Sequence, residues 1–288
     1  MSKTILITGT STGFGKLMAL QLAGAGHSVI AGMRNVAAAN ADAARELNAQ
    51  DNIEVVEMDV TSDASVNTAV DAVLQKYGQI DVWVNNAGIV GFGVAEATSV
   101  DQMKRIFETN LWGMVRGYQA VLPAMRQRGS GLIINISSGL GLFSGPYTVP
   151  YNMSKFAIQG LTEGIRQEIK RFGIETVAVQ PGPFPTTVAT KAGFGPDREE
   201  VVNAYGAEEG EALQQFGAAM FAKMDEYKAD PQEVADAVKK LIDMPAGTRP
   251  HDTVVNRSGE GVEQKFADLK PAYYQELMKN LGWEEFVK

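Results

Sequence analysis

The chain of 288 residues contains no cysteine and only two histidines, His27 and His251. The first absence excludes disulfides, Cys-built zinc sites and iron–sulfur ligation. The second leaves too few imidazoles for a zinc centre of three His or Cys ligands, and no metal site is expected. A Ser-His-Asp hydrolase could still use one histidine, but neither stands in a nucleophile-elbow setting. Positive charge is also short: 26 basic against 34 acidic residues give a net charge of −8. That balance disfavours binding to nucleic acid or to an anionic membrane. No apolar run approaches the ~20 residues of a membrane span. The strand-like Thr4-Ile5-Leu6-Ile7 passes at once into Thr8-Gly9, so no signal peptide is expected. A cytoplasmic location follows as an expectation. Chemistry must therefore run on hydroxyls, carboxylates, amines, backbone dipoles or a borrowed cofactor.

What is present is ordinary for a soluble globule, with 45% apolar and 21% charged residues. Short β-branched runs alternate with helical patterns. The strand candidates are residues 4–8, 28–33, 53–59, 80–85, 132–137 and 175–180, with 253–256 as a last strand. Most are apolar nearly throughout, the pattern of a parallel sheet covered on both faces. Between them, Thr61-Ser62-Asp63 opens a helix to Tyr77, and Ala-rich 37–49 reads as another. A third runs from about Ser99 past Met125, and a fourth from about Pro150 to Phe172. Asp230-Pro231 opens a fifth, to about Asp243. The order predicts one doubly wound α/β domain over residues 1–288. Residues 183–228, opened by Pro181-Gly182-Pro183-Phe184-Pro185, are Gly-punctuated, acidic and weakly helical, and read as a substrate-loop insertion. Residues 262–288 form a C-terminal extension with aromatic residues that should pack somewhere.

Three local features point to a site. Thr8-Gly9-Thr10-Ser11-Thr12-Gly13-Phe14-Gly15 follows the first strand and opens a helix. By itself a Gly-rich run can be a plain turn. In this setting its glycines let a pyrophosphate approach the backbone at a helix N-terminus, so dinucleotide binding is expected. Tyr151 and Lys155 share a stripe of about 80° with Ile158, Thr162, Ile165 and Ile169. The opposite face carries Gln159, Glu163, Arg166, Gln167 and Lys170. The lysine thus faces the core, where it either snorkels out or has a partner and a task. Asn110 interrupts a stripe of Met103, Phe107, Met114, Val121 and Met125, and either fixes packing or serves the site. Ser137-Ser138 ends the fifth strand, at the edge where open α/β sheets bind ligands.

These residues resemble the short-chain dehydrogenase/reductase family, over residues 4–186 in order. Gly9-x-x-x-Gly13-x-Gly15 is similar to its cofactor turn, with Ser11, Thr12 and Phe14 inside it. Asp59-Val60 resembles its adenine-contacting strand end, and Asn85-Asn86-Ala87-Gly88 its central-strand motif. Asn110, Ser138 and Tyr151-x-x-x-Lys155 resemble its catalytic tetrad, with 13 positions from Ser138 to Tyr151. Pro181-Gly182-x-x-x-Thr186, which encloses Phe184, resembles the motif that holds the nicotinamide. The resemblance implies a Rossmann-type fold with a seven-stranded, mostly parallel sheet of order 3-2-1-4-5-6-7. It also implies a homodimer or homotetramer and the compact oxidoreductase branch. Tyr151 would exchange a proton with the substrate oxygen, its pKa lowered by Lys155. Ser138 would hold that oxygen, Lys155 the nicotinamide ribose, and Asn110 a water leading to solvent.

At the end of the second strand Met33 stands where an acid would accept a ribose hydroxyl, and Arg34 follows. A guanidinium suits a 2′-phosphate, so NADP(H) is expected. Val90, Phe92, Leu140, Leu142, Phe143, Tyr147 and Phe184 suggest an apolar pocket, hence a hydrophobic or aromatic ketone, aldehyde or alcohol. A hydroxysteroid or retinoid dehydrogenase and a non-catalytic NADP-binding regulator stay open as alternatives. Phe156, on the outward face of the Tyr151 helix, suggests an oligomer contact.

Overall fold

The computed structural model describes residues 2–187 and 195–286. Seven strands form one sheet: β1 (Thr4–Thr8), β2 (Ser28–Met33), β3 (Ile53–Glu57), β4 (Val82–Asn85), β5 (Gly131–Ile136), β6 (Ile174–Pro181) and β7 (Asp252–Val255). Their order is β3-β2-β1-β4-β5-β6-β7, and every pair is parallel. The strands are apolar on both sides because both faces are covered. Ile5 and Ile7 of β1 join Met18, Leu22, Val234, Val238 and Leu241 on one face. Leu6, between them, joins Val66, Val70, Trp83, Met114, Val121 and Ile158 on the other. This alternation is the two-residue period of a strand.

The first face is covered by α1 (Gly13–Gly24), α2 (Ala41–Asn48) and α9 (Gln232–Asp243). The second is covered by α3 (Asp63–Tyr77), α5 (Gly113–Arg128) and α6 (Val149–Ile169). Ser62 caps α3 as its sequence suggests, its side chain accepting from Ser65 N. Helix α4 (Val100–Phe107) precedes α5; α7 (Glu199–Ala204), α8 (Gly206–Glu226) and α10 (Val262–Asn280) lie in the C-terminal part.

The structure corrects four readings. Residues 37–40 are not helical. Asn35, at φ 56°, folds them into a turn in which Ala38 N and Asn40 N both donate to Asn35 O. Asparagine tolerates that backbone, and local turn chemistry overrides alanine propensity. The helix from Ser99 is broken by a π turn at Glu108–Trp112. The extra residue rotates the stripe, so Gln102 and Ile106 are fully buried while Met103 and Phe107 are buried only in part. Gln159 is buried rather than solvated, donating to Asp252 Oδ1 at 3.1 Å. Within 183–228, α8 runs for 21 residues, more helical than the sequence suggests.

The C-terminal helix α10 packs through Ala267 and Met278, and Gln264 Oε1 accepts from Val254 N of β7. Its outer stripe of Val262, Phe266, Leu269, Tyr273 and Leu277 is exposed. Among the described residues no helix is long and apolar enough to cross a membrane.

Candidate active site

The carboxyl ends of β1, β4, β5 and β6 open onto a cleft of about 590 Å³. Gly9, Ser11, Thr12, Gly13 and Phe14 line it beside β1. Gly9 has φ 71°, and a Cβ there would lie 2.8 Å from Ala87 Cα, so only glycine fits. Thr8 Oγ1 accepts from Asn86 N and Ala87 N, both at 3.0 Å. Asn86 Nδ2 donates to Thr8 O at 2.8 Å and Gly9 O at 3.0 Å. The turn is thereby tied to the end of β4, and the N-terminus of α1 faces it. Backbone N–H groups and the helix dipole in a cradle without side-chain bulk fit a pyrophosphate. Gly15 does not line the cleft. It sits beneath the turn, where a side chain would strike Gly9 O and Asn86 Nδ2.

One end of the cleft is polar. Arg34 is exposed there, with Asn35, Ala39, Asn40, Asp59, Val60 and Thr61 around it. Asn40 Nδ2 donates to Arg34 O at 2.6 Å, and the Glu57 carboxylate accepts from Asn35 N and Val36 N. Burial pushes the Asp59 carboxyl up, but two hydrogen bonds from Thr61 and the charges of Arg34 and Arg116 hold it below its ordinary value. Asn35, Ala39 and Asn40 escape the sequence reading because it places them in or beside a helix; the paired asparagines were the available turn signal.

The middle of the cleft holds the hydroxyl and amine groups. Helix α6 is fixed against the sheet by a buried polar chain. Trp83 Nε1 donates to Asn85 Oδ1 at 2.6 Å, Asn85 Nδ2 to Asn135 Oδ1 at 2.8 Å, and Asn135 Nδ2 to Thr162 Oγ1 at 2.8 Å. From α6, Tyr151 brings its hydroxyl to the neighbourhood of the Ser138 side chain. Ser138 Oγ also accepts from Leu140 N at 3.1 Å. Lys155 is 5% exposed, and its Nζ donates to Ile136 O at 2.9 Å. That amine lies 5.4 Å from the centre of the Tyr151 ring. Burial raises the Tyr151 phenol to about 12, with only the Ser138 hydrogen bond pulling it down. Burial lowers Lys155 to about 7. The expected lowering of Tyr151 is therefore reversed here, because loss of water disfavours the charged form of both groups.

Asn110 stands in the π turn, away from the cleft lining. Its Oδ1 accepts from Ile89 N at 2.8 Å, and its Nδ2 donates to Ile89 O at 2.9 Å and Ser154 Oγ at 3.1 Å. It joins the turn after β4 to α6, with both amide hydrogens taken.

Pro181, Gly182, Phe184 and Thr186 line the cleft, as do Asn86, Ala87 and Gly88. Phe184 meets Phe14 edge-on at 5.6 Å. The other end is apolar, with Val90, Phe92, Leu140 and Phe143 as expected. Tyr147 and Leu142 do not line it. Tyr147 turns outward onto Phe216 of α8, ring centres 5.6 Å apart, and Leu142 is buried beneath the rim. Phe216, Met220 and Met224 of α8 complete the apolar wall, and Asn256 and Glu263 enter from the C-terminal part. Nothing in their local sequence marks these five. Neither histidine lines the cleft, and among the described residues no cluster of His, Asp or Glu could hold a metal.

Residues 3–195 match the family model described as short chain dehydrogenase. The chain is a short-chain dehydrogenase/reductase. As such it is an oxidoreductase of CH–OH and C=O groups in small molecules, and it binds a nicotinamide dinucleotide. It is 35% identical over 247 residues to the "Uncharacterized oxidoreductase YusZ" of Bacillus subtilis (strain 168), covering 83% of this chain and 84% of that protein. It is 39% identical over 185 residues to the 3-ketodihydrosphingosine reductase of Bacteroides thetaiotaomicron, covering 63% of this chain and 64% of that one. A solved short-chain dehydrogenase from Streptomyces avermitilis superposes with a TM-score of 0.77 at 29% identity, over 98% of both chains. Cofactors differ among such structures. The 3-ketoacyl-(acyl-carrier-protein) reductase of Brucella melitensis (TM-score 0.72, 25% identity, 88% and 96% covered) holds NADH. The gluconate 5-dehydrogenase of Burkholderia cenocepacia (0.61, 32%, 67% and 78%) holds NADP.

Proposed function

We propose that this short-chain dehydrogenase/reductase is an NADP(H)-dependent reductase of hydrophobic or aromatic ketones and aldehydes, with Tyr151 as the proton donor. The observation that carries the reading is the grouping of Ser138, Tyr151 and buried Lys155 in the wall of a cleft, polar at the Arg34 end and apolar at the other. Gly9, Gly13 and the N-terminus of α1 would hold the pyrophosphate, Arg34 the 2′-phosphate, and Pro181–Thr186 the nicotinamide. A bound NADPH would supply the hydride for the carbonyl carbon and leave as NADP⁺.

The residues of the chain do the rest. Ser138 Oγ positions the carbonyl oxygen beside the Tyr151 hydroxyl. A phenol raised to about 12 holds its proton at neutral pH and gives it up only when the phenolate that forms is stabilised. As the proton leaves, Lys155 in its ammonium form stabilises the phenolate. Asn110 acts as a positioning residue, joining α6 to the turn after β4. Exposed Val149, Met153 and Phe156 on the outer side of α6 support a homo-oligomer.

A panel of aryl and long-chain ketones, a ketosteroid and a retinal, followed at the nicotinamide absorbance band with NADPH and NADH, tests the reading. Turnover of the apolar ketones with NADPH preferred is expected. Arg34→Ala should raise the KM for NADPH about 10- to 100-fold and leave that for NADH nearly unaltered. Equal effects on both cofactors would remove the phosphate role. No turnover with any substrate would favour a binding protein without catalysis.

A further inference from the structure

Two acids line the cleft, Asp59 at the Arg34 end and Glu263, which stands beside Asn256 and Gly139. Glu263 comes from the first turn of α10, where a helix N-terminus suits negative charge. Its two carboxylate oxygens share one neutral donor, Asn256 Nδ2, at 2.9 Å each. Asn256 is itself fixed, its Oδ1 accepting from Ser258 N at 3.1 Å and Ser258 Oγ at 2.6 Å. Two of the four acceptor positions on the carboxylate thus remain open.

The carboxylate lies against the turn that follows Ser138. A Cβ on Gly139 would come within 2.8 Å of Glu263 Oε1, and Gly139 follows Ser138 in the chain. Gly259 leaves room on the other side, where a side chain would collide with Oε2. No cation answers this charge among the described residues. Of the basic residues lining the cleft, Arg34 lies at the opposite end beside Asp59, and Lys155 donates to Ile136 O. The cleft that Glu263 lines also carries the apolar side chains of Phe143, Phe216, Met220 and Met224. A carboxylate in such surroundings gains most from a cationic partner.

We propose that Glu263 is a specificity-determining residue, and that the preferred substrate carries a protonated amine next to its carbonyl on an apolar body. The substrate class is then a hydrophobic amino ketone, reduced to the amino alcohol. The inference rests on the reductase reading above. Ser138 and Tyr151 hold the carbonyl oxygen, Glu263 takes the ammonium, and the wall from α8 takes the apolar part.

The test compares an aryl ketone with its α-amino derivative, at a pH where the amine is protonated, for the wild type and Glu263→Gln. The ratio of kcat/KM, amino ketone over parent, should favour the amino ketone in the wild type. In the variant it should fall about 10- to 100-fold, the usual size of a charge-assisted hydrogen bond. An unaltered ratio, or equal losses on both ketones, would make Glu263 a strut for Asn256 and overturn the proposal. Calorimetric titration of the NADP⁺-loaded protein with the amino alcohol gives a readout without turnover. Its Kd should weaken by a similar factor in Glu263→Gln, and an unchanged Kd would also overturn it. If the wild type reduces neither ketone but binds the amino alcohol through Glu263, the reductase reading fails and the recognition site stands.

Discussion

Lys155 carries the largest unfavourable environment in the cleft. Its amine is enclosed by β5 and α6, and burial lowers it from an ordinary 10.5 to about 7. In the unfolded chain the same amine keeps a proton up to about pH 10.4. Between those values the unfolded state binds more protons than the folded state, so this group makes stability rise with pH. Below pH 7 its cost is complete; near pH 10 it has gone. Lys155→Met, similar in length and uncharged, should therefore be more stable than the wild type at pH 7 and lose that advantage by pH 10. Urea midpoints at the two pH values measure this, and parallel curves would contradict it. The face shared by Tyr151 and Lys155 was readable from a four-residue spacing. The direction of their pKa shifts was not, because desolvation depends on what the sheet and α6 exclude.

At the scale of elements, sequence served the strands best. β1 and β2 match their expected bounds, and the others differ by a few residues at their ends. Continuous apolar runs under two covered faces leave little freedom. The failures lie where polar groups decide the backbone. Asn35 and Asn40 build the turn beside Arg34, and the π turn at Glu108–Trp112 rotates Asn110 inward. That rotation lets one amide satisfy both backbone groups of Ile89 and reach Ser154 on α6. Asn110→Ala would leave these groups without their partner. It should lower stability by about 1–3 kcal/mol. It should also loosen the seat of Tyr151, so that kcat falls while the NADPH Kd holds. A urea midpoint like that of the wild type would contradict the role given to Asn110.

For the molecule as a whole, the cleft is an assembly of strand ends and turns from residue 9 to residue 263. The glycine turn, the tyrosine–lysine pair and Pro181–Thr186 carry recognisable spacings, and the structure brings them to one cleft. The wall from α8 and the acid from α10 have no spacing that announces them; only the sheet, by placing β7 beside β6, brings Asn256 and Glu263 to the site. The two histidines fit the same picture. His27 accepts from Lys3 N, and burial lowers His251 to about 4, both away from the cleft. In the proposed reading, proton transfer falls to Tyr151. Replacing it with phenylalanine removes one hydroxyl and nothing of the cofactor cradle. The most direct measurement is the turnover of Tyr151→Phe with NADPH and the best ketone, beside its NADPH Kd. The account predicts an unaltered Kd and a kcat reduced about 10²- to 10⁴-fold. Full turnover in the variant would contradict it.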